Sequence, residues 1–229
     1  MLDSLKQELR SFSNPEKAKI LQRFFKTGKG QYGEGDVFLG VMVPQTRSIA
    51  KKYIGLPLTK IKELLNSPIH EERLLGGIIL VEKYNSDKAN VANFYLMNAK
   101  SFNNWDLVDL TAPKILGEFL LDKNKKILYD FSKSKNLWER RIAIISTFTF
   151  IRNNKFEDTL EISEILLEDK EDLIHKAVGW MLREIGKREI VVLENFLKRN
   201  YKKMPRTMLR YAIEKFNKEE RAKYLEDKI

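Results

Sequence analysis

Within the stretch Asn104-Trp105-Asp106-Leu107-Val108-Asp109-Leu110-Thr111-Ala112-Pro113, an indole and a carboxylate stand four residues apart. On a helix, positions i and i+4 share a face, so Trp105 and Asp109 would point the same way. A fixed carboxylate beside an aromatic face can steady a developing positive charge, and the acid can orient a water. Asn103 or Asn104 can cap this helix, and Asp106 suits its first turn. The plainer reading packs Trp105 in the core and leaves Asp109 solvated or paired with a lysine.

The rest of the composition narrows the chemistry. The chain has 229 residues, with 42 Lys+Arg against 32 Asp+Glu and a net charge of +10, which favours a polyanionic partner. It has no cysteine, which excludes disulfides, thiolate metal sites and cysteine nucleophiles. With only two histidines, His70 and His175, neither a zinc site nor a Ser-His-Asp triad is expected. No cofactor and no metal are expected. No apolar run suits a signal peptide or a membrane span, so the expected location is the cytoplasm, at the nucleoid.

The elements that must position these residues read as helices throughout. Residues 2–12 and 15–26 form two amphipathic helices, the second capped by Asn14 and opened by Pro15. From residue 44 onward the expected spans are 44–54, 59–66, 69–84, 87–99, 104–121, 123–132, 136–152, 156–167, 170–187, 189–200, 205–216 and 218–226. Pro113 should bend or break the helix that Trp105 opens. Between them lies a loop with five of the eleven glycines, Gly28 to Gly40. It contains a literal G-x-G-x-x-G, but a helix precedes it where a dinucleotide site needs a strand. It reads as an ordered loop closed by the apolar Val37-Phe38-Leu39-Gly40-Val41.

Short paired helices raise the question of a repeat. Arg73-Leu-Leu-Gly, Arg141-Ile-Ala-Ile, Lys176-Ala-Val-Gly and Arg210-Tyr-Ala-Ile share a cation followed by apolar and small residues, at intervals of 68, 35 and 34. The register missing between Arg73 and Arg141 falls at Leu107, and an earlier, shorter unit opens at Arg47-Ser-Ile-Ala. A period of 34–35 residues with two helices per unit predicts an all-α fold, an α-solenoid of HEAT-like repeats curved as one domain over residues 1–229. Equivalent positions line up in a solenoid. Arg47, Arg73, Arg141, Lys176 and Arg210 would therefore form a ladder of cations on a concave wall, able to follow a duplex backbone. The competing reading pairs each cation with a neighbour, as Glu72 and Glu139 permit.

The chain resembles the AlkD-type DNA alkylation-repair glycosylases, which are built from HEAT-like repeats. The resemblance is carried by Asn14-Pro-Glu-Lys-Ala, Phe38-Leu-Gly-Val-Met-Val-Pro, Trp105-Asp-Leu-Val-Asp109, Trp138-Glu-Arg-Arg141 and Lys176-Ala-Val-Gly-Trp180-Met-Leu-Arg-Glu. It implies excision of positively charged N3- or N7-alkylated purines from double-stranded DNA, without drawing the base into a pocket. It implies Asp109 as the catalytic carboxylate, Trp105 and Trp180 as contacts to the lesion deoxyribose and backbone, and Arg141 as a phosphate ligand. Phe24 stands where a tyrosine near the DNA aligns, and Met42 where a glutamine aligns. These departures bear on how the opposite strand is held. Some relatives have lost the catalytic set and only bind DNA, which makes a non-catalytic binder of duplex or branched DNA the alternative. A protein-binding solenoid is a third reading, one without a basic concave face. A monomer is expected, since the concave face must stay open.

Overall fold

Turn chemistry sets the helix boundaries. Asn14 accepts a hydrogen bond from the Lys17 amide ahead of Pro15, Asp87 from Asn90, Asn136 from Trp138 and Glu139, and Asn217 from Glu220. Each side chain satisfies an amide that a helix start leaves without an intrahelical partner. The computed structural model describes residues 1–227. In order, the helices are α1 (Leu2–Ser11), α2 (Pro15–Phe24), α3 (Val43–Lys52), α4 (Leu58–Leu65), α5 (His70–Tyr84), α6 (Lys88–Met97), α7 (Trp105–Ala112), α8 (Glu118–Leu120), α9 (Lys126–Ser132), α10 (Leu137–Ser146), α11 (Phe148–Arg152), α12 (Glu157–Ile165), α13 (Asp172–Gly186), α14 (Ile190–Asn200), α15 (Arg206–Ala212) and α16 (Lys218–Leu225). Among the described residues there is no strand, only an isolated bridge between Val37 and Ile69. The fold of the described residues is all-helical.

Two expected helices are reshaped. Pro113 does not end the helical path. It opens a π-helical stretch, Pro113–Gly117, where the missing amide is absorbed by wider turns. The Thr149 hydroxyl donates to the Pro113 carbonyl at 2.7 Å. The span expected at 136–152 is divided at Thr147, whose hydroxyl and amide both turn back to the Ile144 carbonyl.

The chain divides into two compact units, Met1–Thr111 and Ala112–Ile229. In the first, α5 is packed by α3, α4 and α6, around a core that includes Leu64, Leu75, Ile79, Tyr95 and Phe102. In the second, α13 is packed by α10, α12, α14 and α15, with Ile142, Phe150, Val178, Leu182 and Phe196 buried. The repeat motif explains the closest of these contacts. Gly179, the small residue of Lys176-Ala-Val-Gly, lets α13 approach α15 so nearly that a Cβ there would lie 2.5 Å from the Met208 carbonyl oxygen. Gly179 thus serves helix crossing, and the Arg73, Arg141 and Lys176 motifs lie on α5, α10 and α13, each packed by several neighbours.

Candidate active site

Trp105 opens α7, its amide held at 2.8 Å by the Asn104 side chain. Asn104 is the residue the cap requires, because it is fully buried and its other amide atom reaches Asp36 at 3.2 Å. The half-buried indole lies parallel to Phe25, with centroids 5.1 Å apart and planes at 12°, and Phe24 meets it edge-on at 5.9 Å. Behind Phe25 the stack continues to Phe38 at 5.1 Å and to the imidazole of His70 at 4.8 Å. One turn after Trp105 comes Asp109, also half-buried. Burial raises the pKa of the Tyr95 hydroxyl most, its hydrogen bond with Thr111 opposes the rise, and the negative charge of Asp109 adds to it. Helix α7 therefore presents a partly exposed acid and an indole propped from behind by aromatic rings.

Beneath the stack lies a network of buried charge. His70 sits between two carboxylates: Nε2 to Asp106 Oδ2 at 2.8 Å and Nδ1 to Asp36 Oδ2 at 3.2 Å. Arg73 reaches the same Asp36 oxygen at 2.6 Å and the Ser67 carbonyl at 2.8 Å. Burial pushes the Asp36 carboxyl upward, but hydrogen bonding from His70 and the charge of Arg73 leave it below the ordinary carboxylate value. Burial likewise works against charge on His70, and the hydrogen bonds to Asp106 and Asp36 outweigh it, so its pKa is raised. The next two residues of α5 are also enclosed. Glu71 accepts from the amides of Leu39, Gly40 and Val41, and Glu72 binds Lys6 at 2.8 Å. Two carboxylates on opposite sides of an imidazole do not converge on one point. No group of three or more His, Asp or Glu among the described residues could hold a metal ion.

In the second unit, Trp180 is half-buried on α13 and tilts against Phe148 at 5.7 Å. Its Nε1 donates to Glu184 at 3.3 Å, a carboxylate that also receives Lys187 at 2.6 Å and Arg188 at 3.6 Å. Arg141, on α10, is 5% exposed and donates to the Leu173 carbonyl. Lys176 pairs with Asp172 at 2.7 Å across one turn of α13.

The uniform ladder of cations requires correction. Arg73 is 3% exposed and bonded to Asp36, so it is an interior residue and is withdrawn as a phosphate contact. The reason is local: α5 is the helix that α3, α4 and α6 enclose, and the loop from Gly28 to Gly40 covers its first turn. Arg141 is enclosed as well, whereas Arg47 on α3 and Arg210 on α15 are exposed. Equal spacing in the sequence marks equal helix position without equal access to solvent. The suggested glutamate pairings also differ, since Glu72 takes Lys6 and Arg10, and Glu139 takes Ser134. Phe24 and Met42 are both exposed, at 61% and 42%.

Sequence reading did not single out Asp36, His70 or Phe25, and took Asp106 only as a first-turn acid. A signal was present. His70-Glu71-Glu72-Arg73 leads straight into Leu-Leu-Gly-Gly-Ile-Ile-Leu, apolar all round and so buried on every side. Charges at the head of such a helix need internal partners.

The sequence matches the DNA alkylation repair enzyme family over residues 5–216, and the chain belongs to that family. A solved structure described as a predicted DNA alkylation repair enzyme from Enterococcus faecalis has a TM-score of 0.74 at 18% identity, covering 90% of this chain and 97% of that one. The structure of AlkD2 from Streptococcus mutans has a TM-score of 0.58 at 19% identity, covering 95% and 97%. At such identities the likeness is one of fold. No curated protein matches the chain. Among the described residues, no helix is long and apolar enough to cross a membrane.

Proposed function

We propose that the protein is a DNA glycosylase that hydrolyses the N-glycosidic bond of N3- or N7-alkylated purines in duplex DNA. The observation that carries this reading is the pairing on α7 of Asp109 with Trp105, both partly open to solvent and one turn apart, in a chain of net charge +10. Alkylation makes the purine cationic, so its departure takes the C1′–N electron pair and neutralises the base. Oxocarbenium character is left on the deoxyribose. The Asp109 carboxylate opposes that charge and orients the water that adds to C1′, the water's proton passing to the carboxylate or solvent. The indole of Trp105 offers a π-face to the same cationic centre, and Trp180 is proposed as a further contact to the DNA. No cofactor takes part in this scheme. Exposed Arg47 and Arg210, with Lys176, supply phosphate contacts. Arg141, 5% exposed, is proposed to meet phosphate through what little of it reaches solvent. We infer that the protein acts as a monomer.

The test is release of free base. Incubation with methylated duplex should liberate 3-methyladenine or 7-methylguanine and leave abasic sites. Salt-dependent binding of the same duplex without base release would identify a non-catalytic DNA binder instead.

A further inference from the structure

The glycine-rich loop follows a helix where a dinucleotide-binding loop follows a strand, and it is built closely against the site. Gly33 abuts α2, where a Cβ would lie 2.5 Å from the Phe25 carbonyl oxygen. Successive turns then carry the chain inward to Asp36, whose amide bonds the Gly33 carbonyl at 3.0 Å. Asp36 arrives under His70, and His70 spans from it to Asp106 in the first turn of α7. The other Asp106 oxygen accepts the Leu107 amide at 2.9 Å. One imidazole thus ties the loop to the helix start that holds the indole and the acid.

We propose that His70 is a positioning residue for excision: as an imidazolium clamped between Asp36 and Asp106, it fixes the first turn of α7 and hence Trp105 and Asp109. This rests on the glycosylase reading for its link to chemistry. Both ring nitrogens face carboxylate oxygens, which can only accept, so an imidazolium donates to both. The charged groups facing the ring are Asp36 from the loop, Asp106 from α7 and Arg73 from α5 itself. Phe38 and Phe25 cover its faces without charge. With His70 protonated, the two carboxylates are balanced by two cations. With it neutral, a buried negative charge is left over and an Nδ1 lone pair meets Asp36 Oδ2 at 3.2 Å. Arg73 Nη2, 3.4 Å from Nδ1, is already engaged with Asp36. The raised pKa of His70 agrees with this balance.

The experiment compares wild type with His70→Gln, whose amide can donate to only one of the two carboxylates. Single-turnover excision is followed against pH, and the ratio of the two rates cancels any titration of the lesion. Below the His70 pKa, wild type should be faster by on the order of tenfold to a hundredfold, as misplacement of reacting groups costs. The ratio should fall towards one as pH rises, with equal DNA affinity for both proteins. The indole N–H resonance of Trp105, identified by its loss in Trp105→Phe, should titrate with His70 in wild type and not in His70→Gln. That signal decides the proposal even if wild type releases no base, a result that would sink the glycosylase reading alone. A rate ratio independent of pH, or an indole resonance that does not titrate in folded wild type, overturns the positioning role. If His70→Gln does not fold, Asp106→Asn serves. It keeps an acceptor but weakens the hold on the ring proton, so the alkaline limb should move to lower pH, and an unmoved limb overturns the proposal.

Discussion

Two tryptophans assigned to the same reaction rest on two differently built carboxylate hubs. Beneath Trp105, Asp36 collects His70, Arg73 and Asn104 on one oxygen, and none of these side chains has appreciable contact with solvent. Beside Trp180, Glu184 collects the indole itself and three cations that are between 17% and 39% exposed. Pairs near water are screened and individually weak, while buried ones are costly to leave incomplete. Trp105 is therefore held by an interior network in which a missing member is costly. The setting of Trp180 is adjustable and sensitive to salt.

The largest effect that could break this contrast comes from Arg73→Met. It leaves a buried carboxylate without its cation and should destabilise the protein by about 3–5 kcal/mol. Chemical denaturation measures this, and a loss below 1 kcal/mol, taken as the ~1 kcal/mol ceiling of surface pairs, would make the two hubs alike.

The pH dependence of stability is the next effect. The His70 pKa is raised, so its contribution is complete below the ordinary 6.5 and is lost as pH climbs through the folded value. The Asp36 pKa is lowered, so its contribution is complete above the ordinary 3.8 and is lost as pH falls through the folded value. Unfolding followed across pH should show both limbs in wild type, and the alkaline one should vanish in His70→Gln.

Glu184→Gln should cost only about 1 kcal/mol, since amide and indole can still meet and the cations keep their water. Added salt should shrink that cost and leave the Arg73→Met cost unchanged. Smallest in stability are Arg47→Ala and Arg210→Ala, exposed positions whose loss should leave folding intact. Each should reduce the salt slope of DNA binding by about one counterion contact. The same slope as wild type would remove that residue from the interface.

Much of this was legible in the sequence. Helix spans follow from apolar periodicity and caps, and 70–84, 190–200 and 218–225 lie within a residue or so of the expected bounds. Pro113 announced a disturbance, though not that π-helical turns would absorb it. The acid and indole of α7 were visible because i,i+4 spacing is a local property. The network under them was not, because Asp36 and Asp106 stand 34 and 36 residues from His70. Their pairing depends on how a loop folds over a helix. Arg73 shows the same limit: register places a residue on a helix, while exposure depends on which neighbours cover that helix.

The central claim is that Asp109 works by its charge. Single-turnover release of 7-methylguanine from methylated duplex, alongside duplex affinity, tests it in Asp109→Asn, which keeps the size of the side chain and removes the charge. The account predicts excision nearly abolished and affinity equal to or slightly above wild type, because a carboxylate near phosphates only repels them. Excision at the wild-type rate by a folded Asp109→Asn protein would contradict it and leave Asp109 a structural residue.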